Sequence, residues 1–444
     1  MKESEALQQN ALPRVVAPNR RSIYDTVVFA FFFWFVMQDF ILSLFYGVTG
    51  WKLATNLLFY SKDIFLIVFF LISLYRKPFP REWVLWIFLY FLLIFGGCAY
   101  AMMQGIRMMT IASAARGFLY LPCLVTIGYG VSRSANVERF VDLFMKFLVI
   151  VGIFGLFEVI LDYLIGTKDF WRVHIHLTDF LTDIKMQSGG LLYEGLPGNF
   201  YGDYSGEFFS QKRLVSFFAN PLTSGYVLVL PYLYYLLKCL KLTAKDGKRF
   251  FKYLAAACFL FLVIVLTFTR IIILQMAAIT FVLLFLKKDR LRIPLMFVCA
   301  ACGIVGLVMS DSIMYYLFGG STGSHLDAIV GSINSISLFG HGIGTYGIYG
   351  DIGTESSYLT LIGQLGLVAL ILYLFGVFYV TRALIIRNKY EKGNCIVAML
   401  LIATVIYYIT GFISEQLFAY TTIAPFYLLC GMYMRKSTLQ KENK

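Results

Sequence analysis

Apolar runs of about 20 residues recur along the whole chain between short polar stretches, each long enough to cross a bilayer as a helix. They begin near Asp25, Ala54, Trp83, Met108, Phe140, Leu222, Phe251, Ile271, Ile293, Ser357, Ile396 and Leu417. Inside hydrocarbon the backbone must satisfy its own hydrogen bonds, so such runs are read as helices. The pattern predicts an all-α fold, a polytopic membrane helical bundle of about 12 transmembrane helices, as one domain over residues 1–444. The run from Ile271 to about Leu286 is the shortest. The first, from about Asp25 to Tyr46 behind Arg14, Arg20 and Arg21, is too long and too aromatic for a cleaved signal and reads as a retained anchor.

Two connections are long, at about 166–220 and 310–356, and the second contains no Lys or Arg. Loops of this length are usually functional or disordered, and their Gly, Tyr and Phe content favours order. Leu191–Phe209 interleaves aromatic with turn residues, a surface suited either to the C–H faces of sugars or to packing on the bundle. A short interfacial helix is expected at about Leu326–Phe339.

Charge orients this arrangement. Basic residues gather before the first run (Arg14, Arg20, Arg21) and in alternate connections: Arg76, Lys77 and Arg81; Arg133 and Arg139; Lys241 to Lys252; Lys287 to Arg292; Arg382 to Lys392; and Arg435 with Lys436. All fall on one side of a twelve-span arrangement, which the positive-inside rule makes cytoplasmic, with both termini inside and both long loops extracytoplasmic. With 59% hydrophobic and 14% charged residues and a mean hydropathy of +0.75, a soluble enzyme is excluded. The net charge of +13 is divided among these loops, so it argues for topology and against a nucleic-acid partner. The eight cysteines lie in or beside apolar runs, as small hydrophobes do. Neither Cys299-x-x-Cys302, mid-span, nor His174 and His176, which would share a face on a strand, forms a ligand set; no metal and no cofactor is expected.

Three charged residues fall at the outer side although far apart in sequence. Arg213 opens RLVSFFANPLTSG, in which Asn220-Pro221 reads as N-cap and first helical residue. Arg270 closes LTFTR among apolar neighbours, where a guanidinium needs a partner. Glu355 opens TESSYLTLIGQLG, where the helix dipole would stabilise its charge and weaken it as a base unless burial compensates. Two guanidinium groups facing one cleft would grip a diphosphate through paired hydrogen bonds. Tyr358 follows Glu355 on the same helix face, and His341 stands in GHGIGTYG, a glycine-rich turn without the lysine of a phosphate-binding loop. Within the spans, Asp39, Asp63 and Arg116 either pair across the bundle or form a polar path, the feature that would suit a transporter.

These residues carry a resemblance. Arg213…Phe218-x-Asn220-Pro221 with Gly225, Leu266-Thr-Phe-Thr-Arg270, and Gly340-His-Gly-Ile-Gly344-Thr345 followed by Glu355-Ser-Ser-Tyr358-Leu359 and Gly366 together resemble the O-antigen polymerase and O-antigen ligase superfamily of multi-span glycosyltransferases. The likeness covers about residues 213–366. Ligases look like His-Asn-x-Tyr-Leu where this chain has Glu355-Ser356-x-Tyr358-Leu359, which favours a polymerase. The resemblance implies a GT-C-like bundle in a bacterial cytoplasmic membrane, acting on polyprenyl-diphosphate-linked oligosaccharides within membrane lipid, with a chain-length regulator as a further protein partner. It implies Arg213, Arg270 and Glu355 as catalytic and Asn220, His341, Tyr358 and Arg116 as substrate-binding residues, in a metal-independent transfer. A ligase using a different acceptor is the nearest alternative, and a polysaccharide flippase the alternative from another class.

Overall fold

The computed structural model describes residues 23–76, 78–131, 136–165, 169–185, 192–193, 196–200, 213–242, 246–286, 336–346, 356–391, 393–412 and 414–442. Long helices come first: α1 (Ile23–Thr49), α2 (Lys52–Arg76), α3 (Arg81–Met103), α4 (Met108–Gly130) and α5 (Asn136–Ile165). The described part of the next connection holds a π-helical turn (Asp169–His174), α6 (Leu177–Asp183) and a two-residue antiparallel pair, β1 (Leu192–Tyr193) with β2 (Leu196–Pro197). Then follow α7 (Pro221–Lys241), α8 (Gly247–Leu266), α9 (Arg270–Leu286), α10 (Ser357–Leu365), α11 (Leu367–Tyr390), α12 (Cys395–Thr410) and α13 (Tyr420–Glu442).

Among the described residues, seven helices are long and apolar enough to cross a membrane: α1 to α5, α8 and α11. Shorter apolar segments lie in α9 and α12. The expected run near Ile293, Cys299, Cys302, Glu355 and most of the second long connection lie outside the described residues. Two expectations are corrected. The apolar run starting at Ser357 is not one span, because Gly366 (φ +87°) breaks it into α10 and α11; a Cβ there would stand 2.2 Å from the Leu338 carbonyl oxygen. The VHIHL segment is a π-helical turn running into α6 rather than a strand, with His176 in the left-handed region (φ 55°).

The helices divide into a centre and a rim. The apolar stretch of α4 is mostly buried, whereas those of α3 and α8 are mostly turned outward. From Pro221 to Leu237, α7 is buried with scarcely a break, and α13 is buried through Ile423–Met434. Rim helices are two-faced: α2 buries Thr55, Phe59, Lys62, Leu66, Phe70 and Ser73 and turns Leu57, Ile64, Ile67 and Leu71 outward, a pattern for lipid on one side and protein on the other.

The tightest contact joins α4 to α13. A Cβ added at Gly128 would come within 2.1 Å of the Leu428 carbonyl oxygen, and one at Gly431 within 2.1 Å of that of Val125. Backbones this close require glycine on both sides, the small-residue packing that holds helices together where lipid supplies no hydrophobic drive. The Tyr24 hydroxyl meets Ser73 (2.6 Å) and the Ile127 carbonyl (2.8 Å), tying the start of α1 to the ends of α2 and α4. At that same end Lys238 of α7 pairs with Asp142 of α5 at 3.0 Å, and Arg387 of α11 donates to the Tyr433 carbonyl at 2.7 Å. Several basic connections therefore meet at one end of the bundle.

Replacing Gly431 by Ala forces the α4–α13 backbones apart, and overpacking of this kind costs about 1–3 kcal/mol. The thermal unfolding midpoint of detergent-purified Gly431→Ala is expected to fall. Gly96→Ala, where an added Cβ meets nothing within 4 Å, should match the parent.

Candidate functional site

The opposite end of the bundle gathers the conspicuous motifs. Arg213 enters through a backbone bond to the Phe200 carbonyl (2.7 Å), and Leu214 N–H bonds the Leu266 carbonyl (2.9 Å) at the end of α8. The chain then passes two left-handed non-glycine residues, Ser216 (φ 50°) and Ala219 (φ 48°), a strained path that its surroundings must hold. Glu158 of α5, 1% exposed, does so: one carboxylate oxygen accepts the Ser216 N–H at 2.8 Å and the other the Trp171 indole N–H at 3.0 Å. The Ser216 hydroxyl donates to Val151 (2.7 Å) and that of Ser224 to Val215. Asn220 caps α7 as its sequence foretells, its side-chain oxygen accepting the Leu222 N–H (2.9 Å) and the Thr223 N–H (3.4 Å), with Pro221 at the first helical position.

The turn between α8 and α9 is the partner of this segment. Phe268 is left-handed (φ 50°), and the turn covers Thr267–Thr269 before Arg270 opens α9. Arg213 lies across it: Nε donates to the Thr267 carbonyl at 2.9 Å, and a terminal nitrogen reaches the Phe268 carbonyl (3.4 Å) and the Thr269 hydroxyl (3.5 Å). The guanidinium thus satisfies carbonyls at the C-terminal, electronegative end of α8. It also sits on the residues directly ahead of Arg270, whose own side chain lies outside those described. The Thr269 hydroxyl reaches the Pro221 carbonyl at 3.5 Å, completing the link between the two motifs.

The third motif arrives through the connection between α12 and α13. Ser356 caps α10, its hydroxyl accepting the Leu359 N–H (3.4 Å) and donating to the Gly411 carbonyl (3.2 Å). The first turn of α10 contains no carboxylate; Glu355, just ahead of it, lies outside the described residues. Ser357 donates to the Ser414 carbonyl at 2.6 Å, and Thr360 bonds the Glu415 carboxylate. From the same connection the Gln416 side-chain oxygen accepts from Thr422 (2.8 Å), which in turn contacts Thr223 of α7 at 3.4 Å, and Thr410 pairs with Gln275 of α9 at 3.0 Å. Residues 410–422 are therefore the junction on which α7, α9 and α10 converge. Tyr358 is buried beside it, its hydroxyl donating to the Tyr408 carbonyl at 2.9 Å and its ring 4.6 Å from that of Phe412.

His341 goes elsewhere. Its backbone N–H bonds the Gly363 carbonyl (2.8 Å), that of Gly342 bonds Gln364 (3.0 Å), and that of Gly344 bonds the Gln364 side chain (3.0 Å). These are at the far end of α10, about 12 Å from Ser356 by helical rise. The N–H groups of His341, Gly342 and Gly344 are thus taken up within the protein. The positive φ values at Gly340, Gly342 and Gly344 serve close packing: a Cβ at Gly340 would lie 2.4 Å from the Gln364 carbonyl oxygen. The His341 ring lies 5.6 Å from that of Tyr346.

Arg116 pairs with Asp63 at 3.1 Å, an ion pair across α4 and α2, while Asp39 pairs at 2.8 Å with Lys185 from beyond α6. Sequence reasoning missed Glu158, Lys62, Glu415 and Lys185; the first two were detectable as ionisable residues inside apolar runs. A cavity of about 980 Å³ lies at the other end of the bundle, against Asp142, Lys238 and Asn394, and shares no residue with these motifs. Comparison of the chain with protein-family models, curated proteins and solved structures gives no match.

Glu158→Ala removes the acceptor of two buried N–H groups, each worth about 1–3 kcal/mol when left unsatisfied. Glu158→Gln keeps one acceptor oxygen. Thermal unfolding in detergent should rank parent above Gln above Ala; coincident curves for Gln and Ala would show that Glu158 does not hold the Ser216 segment.

Proposed function

We propose that this chain is a polysaccharide polymerase, a glycosyltransferase that moves a growing lipid-diphosphate-linked glycan onto a lipid-linked oligosaccharide repeat unit. The observation that carries the reading is the seat of Arg213 on the turn directly ahead of Arg270, which sets two cationic residues from distant parts of the chain at one helix junction. Two such residues at one place suit an anion with more than one charge, and a diphosphate is the anion that lipid-linked sugars carry.

The reaction follows from that chemistry. A hydroxyl of the acceptor sugar forms a bond to the anomeric carbon of the donor, the bond from that carbon to the phosphate oxygen breaks, and the lipid diphosphate leaves with the electron pair. The transition state is oxocarbenium-like, and negative charge grows on the diphosphate. Arg270 and Arg213 stabilise that charge, while Glu355 takes or orients the hydroxyl proton. Ser356, held to Gly411, ties the segment that follows Glu355 to the junction around α7 and α9, which favours a shared site. Basic residues at the far end of the bundle favour a cytoplasmic assignment for that end, and an outer-face position in a bacterial cytoplasmic membrane for the site.

Arg270→Ala is expected to lower polymer formation by about a hundredfold or more while the protein still inserts, the loss typical of removing a charge-stabilising donor. The assay supplies labelled lipid-linked repeat units alone and resolves products by size. A ladder with the parent and none with the variant supports the reading. Normal chain lengths from Arg270→Ala discard the phosphate clamp, and a requirement for a separate acceptor replaces the polymerase with a ligase. Polymer at the parental rate from Glu355→Gln removes the base assignment.

A further inference from the structure

A second concentration of charge lies apart from the Arg213 junction, between α1, α2, α4 and the segment after α6. Three cations and two carboxylates contribute to it: Lys62, Arg116 and Lys185, with Asp39 and Asp63. Among the described residues Arg116 pairs with Asp63 and Lys185 with Asp39, which leaves Lys62 without a paired carboxylate. Lys62 is only 6% exposed and occurs ten residues into α2, about 15 Å from its start by helical rise. That depth is near the middle of a hydrocarbon layer about 30 Å thick.

Lys62 lacks a direct polar partner among the described residues, although Asp39 and Asp63 attract it at longer range. Among the described residues its ammonium makes no ion pair and no hydrogen bond; it stands 4.0 Å from the centre of the Phe59 ring and 5.7 Å from that of Tyr420. The Lys185 ammonium is 6.0 Å from the centre of that same Phe59 ring, so two like charges approach one aromatic ring. Each carboxylate accepts from another cation with one oxygen and acts on Lys62 only at longer range; the remaining oxygens, Asp39 Oδ1 and Asp63 Oδ1, are buried without a hydrogen-bond donor among the described residues. Buried ammonium groups in a membrane protein are unfavourable unless paired, and those retained mark ligand or ion sites. Among the described residues the cations here outnumber the carboxylates, and a buried cation without an ion pair calls for an anion. Access from the same end of the bundle as the Arg213 junction fits, because α1 ends and α2 begins there and Tyr46 of α1 bonds Asp183 of α6 at 2.6 Å.

The two polar centres flank one helix start. Tyr420, the first residue of α13, offers its ring to Lys62 and its hydroxyl to the Lys62 carbonyl at 3.5 Å; Thr422, two residues on, bonds Thr223 and Gln416 on the other side. A polymerase must hold two lipid diphosphates at once, one on the donor and one on the acceptor. We infer that Lys62, with Arg116 and Lys185, forms a second phosphate site, which holds the lipid diphosphate of the substrate that is not cleaved while the Arg213–Arg270 junction holds that of the donor. This assignment rests on the polymerase reading.

The test counts bound ligands by native mass spectrometry on the full chain in phosphatidylcholine nanodiscs, with farnesyl diphosphate as the probe. The parent should bind two per chain, Lys62→Gln one, Arg213→Gln one, and Lys62→Arg two. Lys185→Gln, altered at the edge of the cluster, should weaken the second binding event at least tenfold and guards against a misfolded Lys62→Gln. Two bound molecules on Lys62→Gln overturn the inference, as does a single parental site lost on Arg213→Gln alone; the polymerase reading survives both. No binding to the parent overturns the inference and the polymerase reading together. Phosphatidylglycerol nanodiscs form the second arm: if they abolish the Lys62-dependent event, the site takes phospholipid headgroups and the substrate assignment falls. Retained binding there supports it.

Discussion

The approach of α4 and α13 at Gly128 and Gly431 is the contact on which the remaining arrangement depends. It brings each helix's backbone against the other's carbonyl oxygen, so neither can slide or rotate without a clash. Both helices then carry polar residues to places set by that register. Arg116 projects from α4 toward Asp63, and the first residues of α13 lie between Lys62 on one side and the Thr223–Gln416 junction on the other. Holding two polar centres in an apolar bundle requires a rigid seam between them, and this is the seam.

Around it, polar groups follow a consistent logic. In the middle of the bundle, hydroxyls bond back to helix carbonyls, as Ser73, Thr280 and Thr404 do, or to each other, as Tyr373, Tyr427 and Tyr408 do. Toward the motif-bearing end the backbone itself leaves the helix, at Ser216, Ala219, Phe268 and Gly366. Irregular backbone is tolerated at membrane depth only where protein covers it. Glu158, Arg213 and the serines of 356–357 supply that cover by taking up N–H and carbonyl groups that the broken helices leave unmatched. Left-handed backbone and buried polar side chains therefore occur together at this end, each side chain holding a segment that has left the helix.

Much of this was legible in the residues. Asn220-Pro221 announced a helix start because an amide cap and a fixed φ act locally, and Arg270 between two apolar runs marked the boundary of two helices. The break at Gly366 was not legible: its neighbours are apolar on both sides, and the glycine's backbone is forced open by Leu338, a residue remote in sequence. The glycine-rich turn around His341 was legible as a turn, but not that its N–H groups bond the end of α10. Lys62 and Glu158 were passed over inside apolar runs, since only their neighbours reveal that one carboxylate is satisfied and one ammonium is not.

The apolar spacing determined the all-α membrane character and most helix positions, because hydrocarbon imposes length and hydrogen-bonding requirements that each segment meets by itself. Meeting points were decided in three dimensions. Arg213 reaches the turn ahead of Arg270 across more than fifty residues of chain, and Lys185 reaches Asp39 across more than one hundred and forty. Such contacts depend on which helices touch and at what depth, and that follows from the shape of the glycine seams and the return of the chain at residues 410–422, quantities that hydropathy does not encode.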